Sequence, residues 1–520
     1  MCGISAIIHR SHLPGPEANS RLLSAMLEPI AYRGDREHRG EIAAYDEFAM
    51  GTNRLAIVGR DTGRQPISDP SGTVWTVFNG EIYNYKDLQR ELIAAGREFR
   101  TGTDTEVVIH GYQEWGRERL LEKLDGMFAF VIYDRASGSF LAARDHIGIK
   151  PLYYASVDGT WYFASEQKSL TSLTSRIETL QPGHFVAEEG VGCYFRLVDE
   201  PLDLPEDEIV ARFRELFEEA VRKRVQTDLP VAVTFSGGLD STAVLHFARK
   251  HHPNVTAFTI GFEGAADIAV ARRYCEELGV PQHITYLRED EMVGIIPKVV
   301  YEAEFFEGID VMDSCLGFYV YREIHRQGMK VALCGEGSDE VLAGYDLFRE
   351  HPDRTALMKY RVANLHRTDL QRVDRSSMMN SVEARVPFLD KDFLSFAYRI
   401  PMHLKLRDGV EKWILREALR HELPDYIAER PKVRMPDGTG LQNRLLDHAR
   451  QGAALPEQVI EGLSIRTPQE AFFLKQYLDA GFPLPSERFR RPVFDFSENG
   501  YFRFISQAAC SDGSGRGTRG

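Results

Sequence analysis

The 520-residue sequence lacks paired cysteine motifs and long apolar runs. Its six cysteines are scattered with no C-x-x-C pair, and no stretch approaches the roughly 18 apolar residues that a membrane-spanning helix needs. The N-terminal segment MCGISAIIHR has no basic region followed by a long apolar core, so it does not resemble a secretion signal. We therefore expect reduced thiols in a cytoplasmic protein, with neither a disulfide framework nor a cysteine zinc site.

Positive charge is scarce relative to negative charge. The 63 Lys and Arg residues stand against 77 Asp and Glu residues, which gives a formal net charge of -14. This acidic balance argues against general nucleic-acid binding. The hydrophobic content of 43% is ordinary for a globular protein, and 520 residues exceed what one hydrophobic core usually holds. Two or more domains are therefore expected.

The sequence up to Arg196 consists mainly of short apolar runs separated by turn residues, which predicts strands. Two helices are predicted between them. The first helix begins after Asn84, whose side chain can cap it, and ends at Gly96. The second follows residues 103–106, Thr-Asp-Thr-Glu, which have the spacing of a capping box, and it runs to Gly116.

The second half has a different pattern. Residues 199–208 are acidic and contain proline, so we interpret them as a linker. Strand–loop–helix units follow, which predict a parallel sheet with helices on both faces, and the later part is mostly helical. We predict one domain at 2–198, a second at 209–505, and a disordered tail at 506–520.

Cys2 directly follows the initiator Met1. If Met1 is removed, the cysteine gains a free α-amine, whose unperturbed pKa of roughly 7.7–8.0 allows it to take the thiol proton near neutral pH. One residue then supplies both nucleophile and base. The alternative is a buried structural cysteine in a first strand, and the short Met-Cys-Gly segment favours that alternative when it is considered alone.

Other residues of the first half suit an amino-acid amide. Asn79 and Gly80 follow a predicted strand, and an Asn side chain beside a glycine N–H can form an oxyanion hole. Arg54 offers a planar fork for a carboxylate. Glu81 and Asp104 can hold an α-ammonium group. Together these residues supply every contact that such a substrate needs.

The second half contains the segment SGGLDS, residues 236–241, between a predicted strand and a predicted helix. Its glycines allow close backbone approach, and successive N–H groups at a helix N-terminus bind an anion. Asp240 can bind Mg²⁺. The Gly-Lys-Ser/Thr ending of a Walker A loop is absent. An ordinary glycine-rich turn is the alternative interpretation.

The sequence resembles the glutamine-dependent asparagine synthetase family. The segments CGI, RLAIV, GRQPI, NGEIYNY, DTEV and ARDHIGIKPLYY follow the order found in class II glutamine amidotransferases, and SGGLDS resembles the pyrophosphate loop of ATP pyrophosphatases. The resemblance implies an αββα-sandwich glutaminase domain followed by a doubly wound parallel α/β domain with a helical C-terminal part. It also implies hydrolysis of glutamine, use of ATP and Mg²⁺, release of AMP and pyrophosphate, and amidation of a small acid, with aspartate as the expected acceptor.

The same resemblance assigns roles to individual residues. In the first half the catalytic residues would be Cys2, Asn79 and Gly80, and the glutamine-binding residues Arg54, Leu55, Ile57, Val58, Asn79, Glu81 and Asp104. In the second half the ATP-binding residues would be Phe235, Ser236, Gly237, Gly238, Asp240, Ser241, Ile260, Cys334 and Gly335. The Mg²⁺ ligands would be Asp240 and Asp339, and the catalytic residues Glu336 and Lys432. The sequence does not determine the oligomeric state, and a homodimer is one candidate.

Two segments depart from the family pattern. Residues 32–35 read Tyr-Arg-Gly-Asp where the family often has His-Arg-Gly-Pro-Asp. In residues 304–317, Met312 lies near a position where one bacterial subgroup has Arg. This segment either lines the acceptor pocket or begins a solvated helix. Three functions therefore compete: asparagine synthesis, amide synthesis on another acid of specialised metabolism, and a glutaminase-like or non-enzymatic partner protein with an inactive second site.

Overall fold

A computed structural model of the chain describes residues 2–10, 13–431, 468–482, 494–496 and 502–504. The first half contains twelve strands that form two antiparallel sheets. The strands are β1 Cys2–His9, β2 Glu41–Ala44, β3 Phe48–Arg54, β4 Ile67–Ser68, β5 Val74–Ile82, β6 Gly126–Asp134, β7 Ser139–Arg144, β8 Tyr153–Val157, β9 Thr160–Ala164, β10 Glu178–Thr179, β11 His184–Ala187 and β12 Gly190–Cys193. The strand orders are β10-β8-β9-β1-β3-β2 and β12-β11-β7-β6-β5-β4.

The two sheets face each other between layers of helices. The helices of this half are α1 Pro16–Leu27, α2 Tyr85–Ala94 and α3 Glu106–Lys123. Alternate side chains of a strand point to opposite faces. Ile4 of β1 therefore packs with Val77 and Val131 of the other sheet, whereas Ile7 packs against Leu23 of α1. The αββα sandwich is confirmed.

The predicted helix ends are partly wrong. Gly96 closes α2 with a φ of 91°, as expected, but the Asn84 side chain does not cap its start. Asn84 instead donates from Nδ2 to the Lys123 carbonyl at 2.8 Å, because a partner distant in the chain lies within reach. The helix α3 continues through Gly116 to Lys123, since Gly116 adopts a φ of 74° that permits a kink.

The predicted capping box does not form either. The Glu106 carboxylate accepts from the backbone N–H groups of Arg100 and Thr101, at 2.9 and 2.8 Å, rather than from that of Thr103. The preceding loop folds back over the first turn of α3 and supplies these donors. Glu106 therefore holds the loop that leads to Asp104.

Five parallel strands form the central sheet of the second half. They are β13 Val231–Thr234, β14 Val255–Gly261, β15 Gln282–Tyr286, β16 Val331–Leu333 and β17 Glu383–Arg385, in the order β15-β14-β13-β16-β17. The chain winds outward from β13 through β14 to β15, and then continues on the other side with β16 and β17. Ligands bind at such a reversal, outside the carboxyl ends of the strands.

Helices cover both faces of this sheet, so the doubly wound fold is confirmed. Val233 packs with Val244 on one face, and Ala232 packs with Ile324 on the other. The helices are α4 Glu206–Arg224, α5 Leu239–His251, α6 Ala266–Leu278, α7 Glu289–Gly294, α8 Ile296–Ala303, α9 Gly308–Arg326, α10 Ser338–Val341, α11 Leu347–Glu350, α12 Arg354–Asn364, α13 Asp369–Met378, α14 Lys391–Arg399, α15 Met402–Lys405, α16 Trp413–Ala418, α17 Asp425–Ala428 and α18 Pro468–Asp479. Two short hairpins complete the described part, β18 Leu406–Arg407 with β19 Val410–Glu411, and β20 Phe494–Phe496 with β21 Phe502–Phe504.

The helix α4 begins at Glu206, so residues 206–208 of the predicted linker are already helical. The residues that the model describes include no helix long and apolar enough to cross a membrane. The predicted tail at 506–520 and the predicted catalytic Lys432 lie outside the described residues.

Candidate active sites

The first site is built around Cys2 at the start of β1. Cys2 is buried and pairs in the sheet with Arg54, the last residue of β3. Its backbone N–H donates to the Asn79 side-chain oxygen at 2.9 Å. The Asn79 amide nitrogen is buried and has no hydrogen-bond partner among the described residues. Asn79 thus bonds to the backbone of Cys2 and keeps a donor that can serve an oxyanion.

Gly80 allows β5 to pass very close to β6. Its φ is 148°, and a Cβ at this position would lie 1.9 Å from the Met127 carbonyl oxygen. Any other residue would collide with the neighbouring backbone. The strand can therefore bring Asn79 beside Cys2 only if this residue is glycine.

Arg54 shapes the loop that follows it. Its guanidinium donates to the carbonyls of Val58, Gly59 and Arg60 at distances from 2.9 to 3.2 Å. In the same loop, Leu55 and Ile57 are buried in the large apolar cluster that also contains residues of the second half. This loop therefore has a fixed shape at the end of β3. Binding of the glutamine carboxylate by Arg54 stays a prediction.

Glu81 and Asp104 lie together and are both buried. Asp104 accepts from the backbone N–H of Ile82 at 2.9 Å, which places its carboxylate beside the end of β5. Burial raises the pKa of Asp104 to about 6. Burial, Glu383 and Asp104 raise the pKa of Glu81 well above its ordinary range. Two neighbouring buried carboxylates suit an α-ammonium group, which would neutralise them.

The second site lies at the reversal of the parallel sheet, where two predicted motifs meet. The hydroxyls of Ser236 and Ser241 are 3.2 Å apart, and the N–H of Gly238 donates to Ser236 Oγ at 3.3 Å. Gly237 has a φ of 71°, and a Cβ there would lie 2.9 Å from a backbone nitrogen. A Cβ on Gly335 would lie 3.0 Å from the Asp240 side chain, so the first turn of α5 touches the loop after β16.

The other predicted ATP-binding residues surround this point. Phe235 is buried directly after β13, and its N–H donates to the Phe258 carbonyl of β14 at 2.8 Å. Ile260 is half-buried near the end of β14. Cys334 follows β16, and burial raises the pKa of its thiol to about 12. All three residues thus lie at the carboxyl ends of adjacent strands.

Lys412 is a residue of this site that sequence reasoning missed. Its buried ammonium group bonds to Asp240 and lies 2.6 Å from the Asp339 carboxylate. The two predicted Mg²⁺ ligands therefore face one shared cation. Mg²⁺ is commonly bound by one or two carboxylates together with phosphate oxygens, so this donor pair fits the ion. Nothing in the local segment DGVEKWIL distinguishes this lysine from an ordinary surface lysine.

Glu336 also has a partner that the sequence did not reveal. Arg372 on α13 bonds to Glu336 and to Asp369, the latter at 2.8 Å. Two carboxylates of α9, Asp310 and Asp313, lie 3.5 and 3.1 Å from the same guanidinium. Burial raises the pKa of Glu336, and Arg372 opposes this rise.

Residues 304–317 do contain a helix start, since α9 begins at Gly308, but the interpretation of this start as solvated is wrong. Asp310 and Asp313 are buried, because they pair with Arg372 beneath the candidate site. Met312 is also buried and packs in an apolar cluster with Phe305 and Leu316. This segment therefore borders the site through its aspartates.

Buried ion pairs connect the two halves. Arg33 donates from Nε to the Cys2 carbonyl at 3.1 Å and forms two hydrogen bonds with Asp374 of α13, at 2.8 and 3.0 Å. Arg33 also contacts Glu166 at 2.5 Å, and the Tyr32 hydroxyl donates to Glu166 at the same distance. The helix α13 is thus connected to β1 through Asp374 and Arg33, and to the second candidate site through Arg372.

Comparison with known proteins gives the same two-part organisation. The profile of the glutamine amidotransferase domain family matches residues 1–196, and that of the asparagine synthase family matches residues 212–362 and 351–495. Asparagine synthetase [glutamine-hydrolyzing] 2 of Arabidopsis thaliana is 34% identical over 94% of this chain and 89% of its own length. The asparagine synthetase [glutamine-hydrolyzing] of Zea mays is 33% identical over 87% of this chain and 82% of its own length.

A solved glutamine phosphoribosylpyrophosphate amidotransferase from B. subtilis is 17% identical, with a TM-score of 0.31 over 54% of this chain and 65% of its own. The two family profiles taken together, and each of the two plant relatives, extend over most of the chain. The chain therefore belongs to the family of glutamine-hydrolysing asparagine synthetases, in which a glutamine amidotransferase domain precedes an asparagine synthase domain.

Proposed function

We propose that this ligase hydrolyses glutamine at Cys2 and transfers the ammonia to an acid that it activates as an acyl-adenylate, most directly aspartate. The glutaminase domain would occupy residues 2–198 and the synthetase domain residues 209–505. The observation that carries the proposal is the meeting of the Ser236–Ser241 segment with Gly335 at the reversal of the parallel sheet. An inactive second site would not need this close approach.

In the first site, the Cys2 thiol would give its proton to the cysteine's own α-amine and attack the side-chain amide carbon of glutamine. The buried Asn79 amide nitrogen is a donor for the resulting oxyanion. Ammonia leaves as the thioester forms, and water then releases glutamate. Glu81 and Asp104 would hold the α-ammonium group, and Arg54 the α-carboxylate.

In the second site, the acid's carboxylate would attack the α-phosphate of ATP and release pyrophosphate. The loop at residues 236–241 supplies backbone N–H groups and hydroxyls for the phosphates. Ammonia then attacks the acyl-adenylate, Glu336 takes a proton from the nitrogen, and AMP leaves. Lys432 is expected to neutralise charge on the α-phosphate.

Asp240 and Asp339 are the residues that would hold Mg²⁺, which would neutralise phosphate charge when it is bound. Lys412 now lies against both carboxylates. We infer that its ammonium group keeps these side chains together before the nucleotide arrives. Lys412 would then remain close to the departing pyrophosphate.

Removal of Met1 should be required for glutaminase activity. A retained methionine would place the nitrogen of Cys2 in a peptide bond, where it cannot accept the thiol proton. Mass spectrometry of glutaminase-active protein should therefore show Cys2 as the first residue. Full activity in protein that retains Met1 throughout would contradict the N-terminal amine mechanism.

The acceptor can be identified with a panel of carboxylic acids supplied with glutamine, ATP and Mg²⁺. The true acid should trigger release of AMP and pyrophosphate in equal amounts, with aspartate as the expected acid and asparagine as the product. Formation of ADP and phosphate instead would contradict the acyl-adenylate. A response to acids other than aspartate would identify a different acceptor without changing the reaction class.

The charge around Glu336 bears on which acids belong in this panel. Asp310, Asp313 and Asp369 surround Arg372 beside Glu336, so the region carries more negative than positive charge. Such a region suits an acceptor that bears an amino group. Aspartate satisfies this condition, and so do other amino acids, which therefore belong in the panel.

A further inference from the structure

We propose that Arg385, which belongs to the synthetase half, is a positioning residue for the glutamine site, where its guanidinium orients Glu81 to bind the α-ammonium group of glutamine. The inference rests on the proposed glutaminase function. It adds a residue from the second half of the chain to a site that the sequence assigned entirely to the first half.

The Arg385 guanidinium is held on three sides. Its Nε donates to Glu383 at 2.6 Å, its Nη1 donates to the Arg224 carbonyl at 2.7 Å, and its Nη2 lies 3.7 Å from Glu81 Oε1. The side chain is buried. Its backbone is part of β17 and accepts from the Cys334 N–H at 3.0 Å. These contacts hold the guanidinium in one position relative to Glu81.

The charge around Glu81 makes this contact important. Three buried carboxylates, Glu81, Asp104 and Glu383, share this region, and among the described residues Arg385 is the cation within ion-pairing distance of Glu81. The other ionisable groups that act on Glu81 or lie beside Arg385 are the N-terminal amine, which also lowers the pKa of Glu81, and the side chains of Tyr83, Tyr85 and Arg224. The two tyrosines stay neutral at physiological pH because burial raises the pKa of each.

Glutamine binding needs an ionised Glu81. Burial and the two neighbouring carboxylates raise the pKa of Glu81, and Arg385 lowers it. A protonated Glu81 cannot pair with the α-ammonium group. The KM for glutamine should therefore fall as pH rises through the pKa of Glu81. Arg385 shifts this decrease in KM to lower pH, and Glu383 shifts it to higher pH.

The test compares substitutions of these two neighbours in the full-length enzyme. KM and kcat for glutamine are measured between about pH 6 and pH 7.5, below the usual pKa of an α-amino group, so that the α-ammonium group of glutamine stays mainly charged. In Arg385→Met we expect KM to rise about tenfold near neutral pH, equivalent to a shift of about one pKa unit, with kcat nearly unchanged. In Glu383→Gln the pH profile of KM should move the opposite way, to lower pH. Arg385→Lys should raise KM less than Arg385→Met does.

Synthesis from free ammonia reports the integrity of the fold in each variant, because it bypasses the glutamine site. A purely structural role predicts that both substitutions impair KM and kcat together. The proposal is overturned if the KM profile of Arg385→Met matches that of the parent, or if both substitutions move it in the same direction. If Arg385→Met also loses ammonia-dependent synthesis, its KM cannot be interpreted. The test then uses Arg385→Lys and Glu383→Gln, whose pH profiles of KM for glutamine should shift in opposite directions. Failure of the parent enzyme to hydrolyse glutamine would instead refute the proposed function.

Discussion

Replacement of Cys2 by alanine is expected to reduce glutamine hydrolysis by at least about four orders of magnitude, because the variant has no nucleophile. Synthesis from free ammonia should continue at close to the parent rate, since the second site lies in the other half of the chain. The measurement is production of glutamate from glutamine, together with pyrophosphate release at saturating ammonium.

Cys193→Ala provides the matched control. Cys193 is the other cysteine of the first half, lies on β12, and donates from its thiol to the Phe195 carbonyl at 3.4 Å, away from the candidate site. This variant should retain both activities. The assignment of Cys2 would be wrong if Cys2→Ala still produced glutamate at the parent rate.

Replacement of Glu336 by glutamine should separate the two steps of the synthetase reaction. If Glu336 accepts a proton after ammonia attacks, the variant should still exchange labelled pyrophosphate into ATP when the true acid is present. Amide formation should fall by about 10²–10⁴-fold, the usual contribution of a general base. In the parent, amide formation should increase as pH rises through the pKa of Glu336, which burial raises.

Asp240→Asn is the comparison for this experiment. Asp240 lies in the first turn of α5, contacts Gly335 and shares Lys412 with Asp339, so its loss should slow pyrophosphate exchange and amide formation together. If Glu336→Gln behaves in the same way, with exchange and amide synthesis falling in parallel, Glu336 acts in binding rather than as a base.

The sequence alone predicted the parts of both candidate sites that are contiguous in the chain. The Asn79–Glu81 segment and the Ser236–Ser241 segment each carry several functional groups within a few residues. For Cys2 and for Ser236–Ser241 the local residues left a structural alternative open, and the family resemblance favoured the functional one. The segment SGTVWTVFNG predicted a strand, and β5 spans Val74–Ile82. The strand–loop–helix units also predicted the parallel sheet of the second half with helices on both faces, whereas the αββα sandwich of the first half was implied by the family resemblance.

Only the tertiary structure determined the partners that come from distant parts of the chain. Lys412 reaches Asp240 and Asp339, Arg372 reaches Glu336, and Arg385 reaches Glu81, in each case between elements separated by many residues. Helix ends show the same limit: Asn84 can cap α2, yet it bonds to the Lys123 carbonyl. A local pattern specifies what a side chain can do, whereas packing decides which partner lies within reach, because buried charges and amides must find theirs wherever the fold places them.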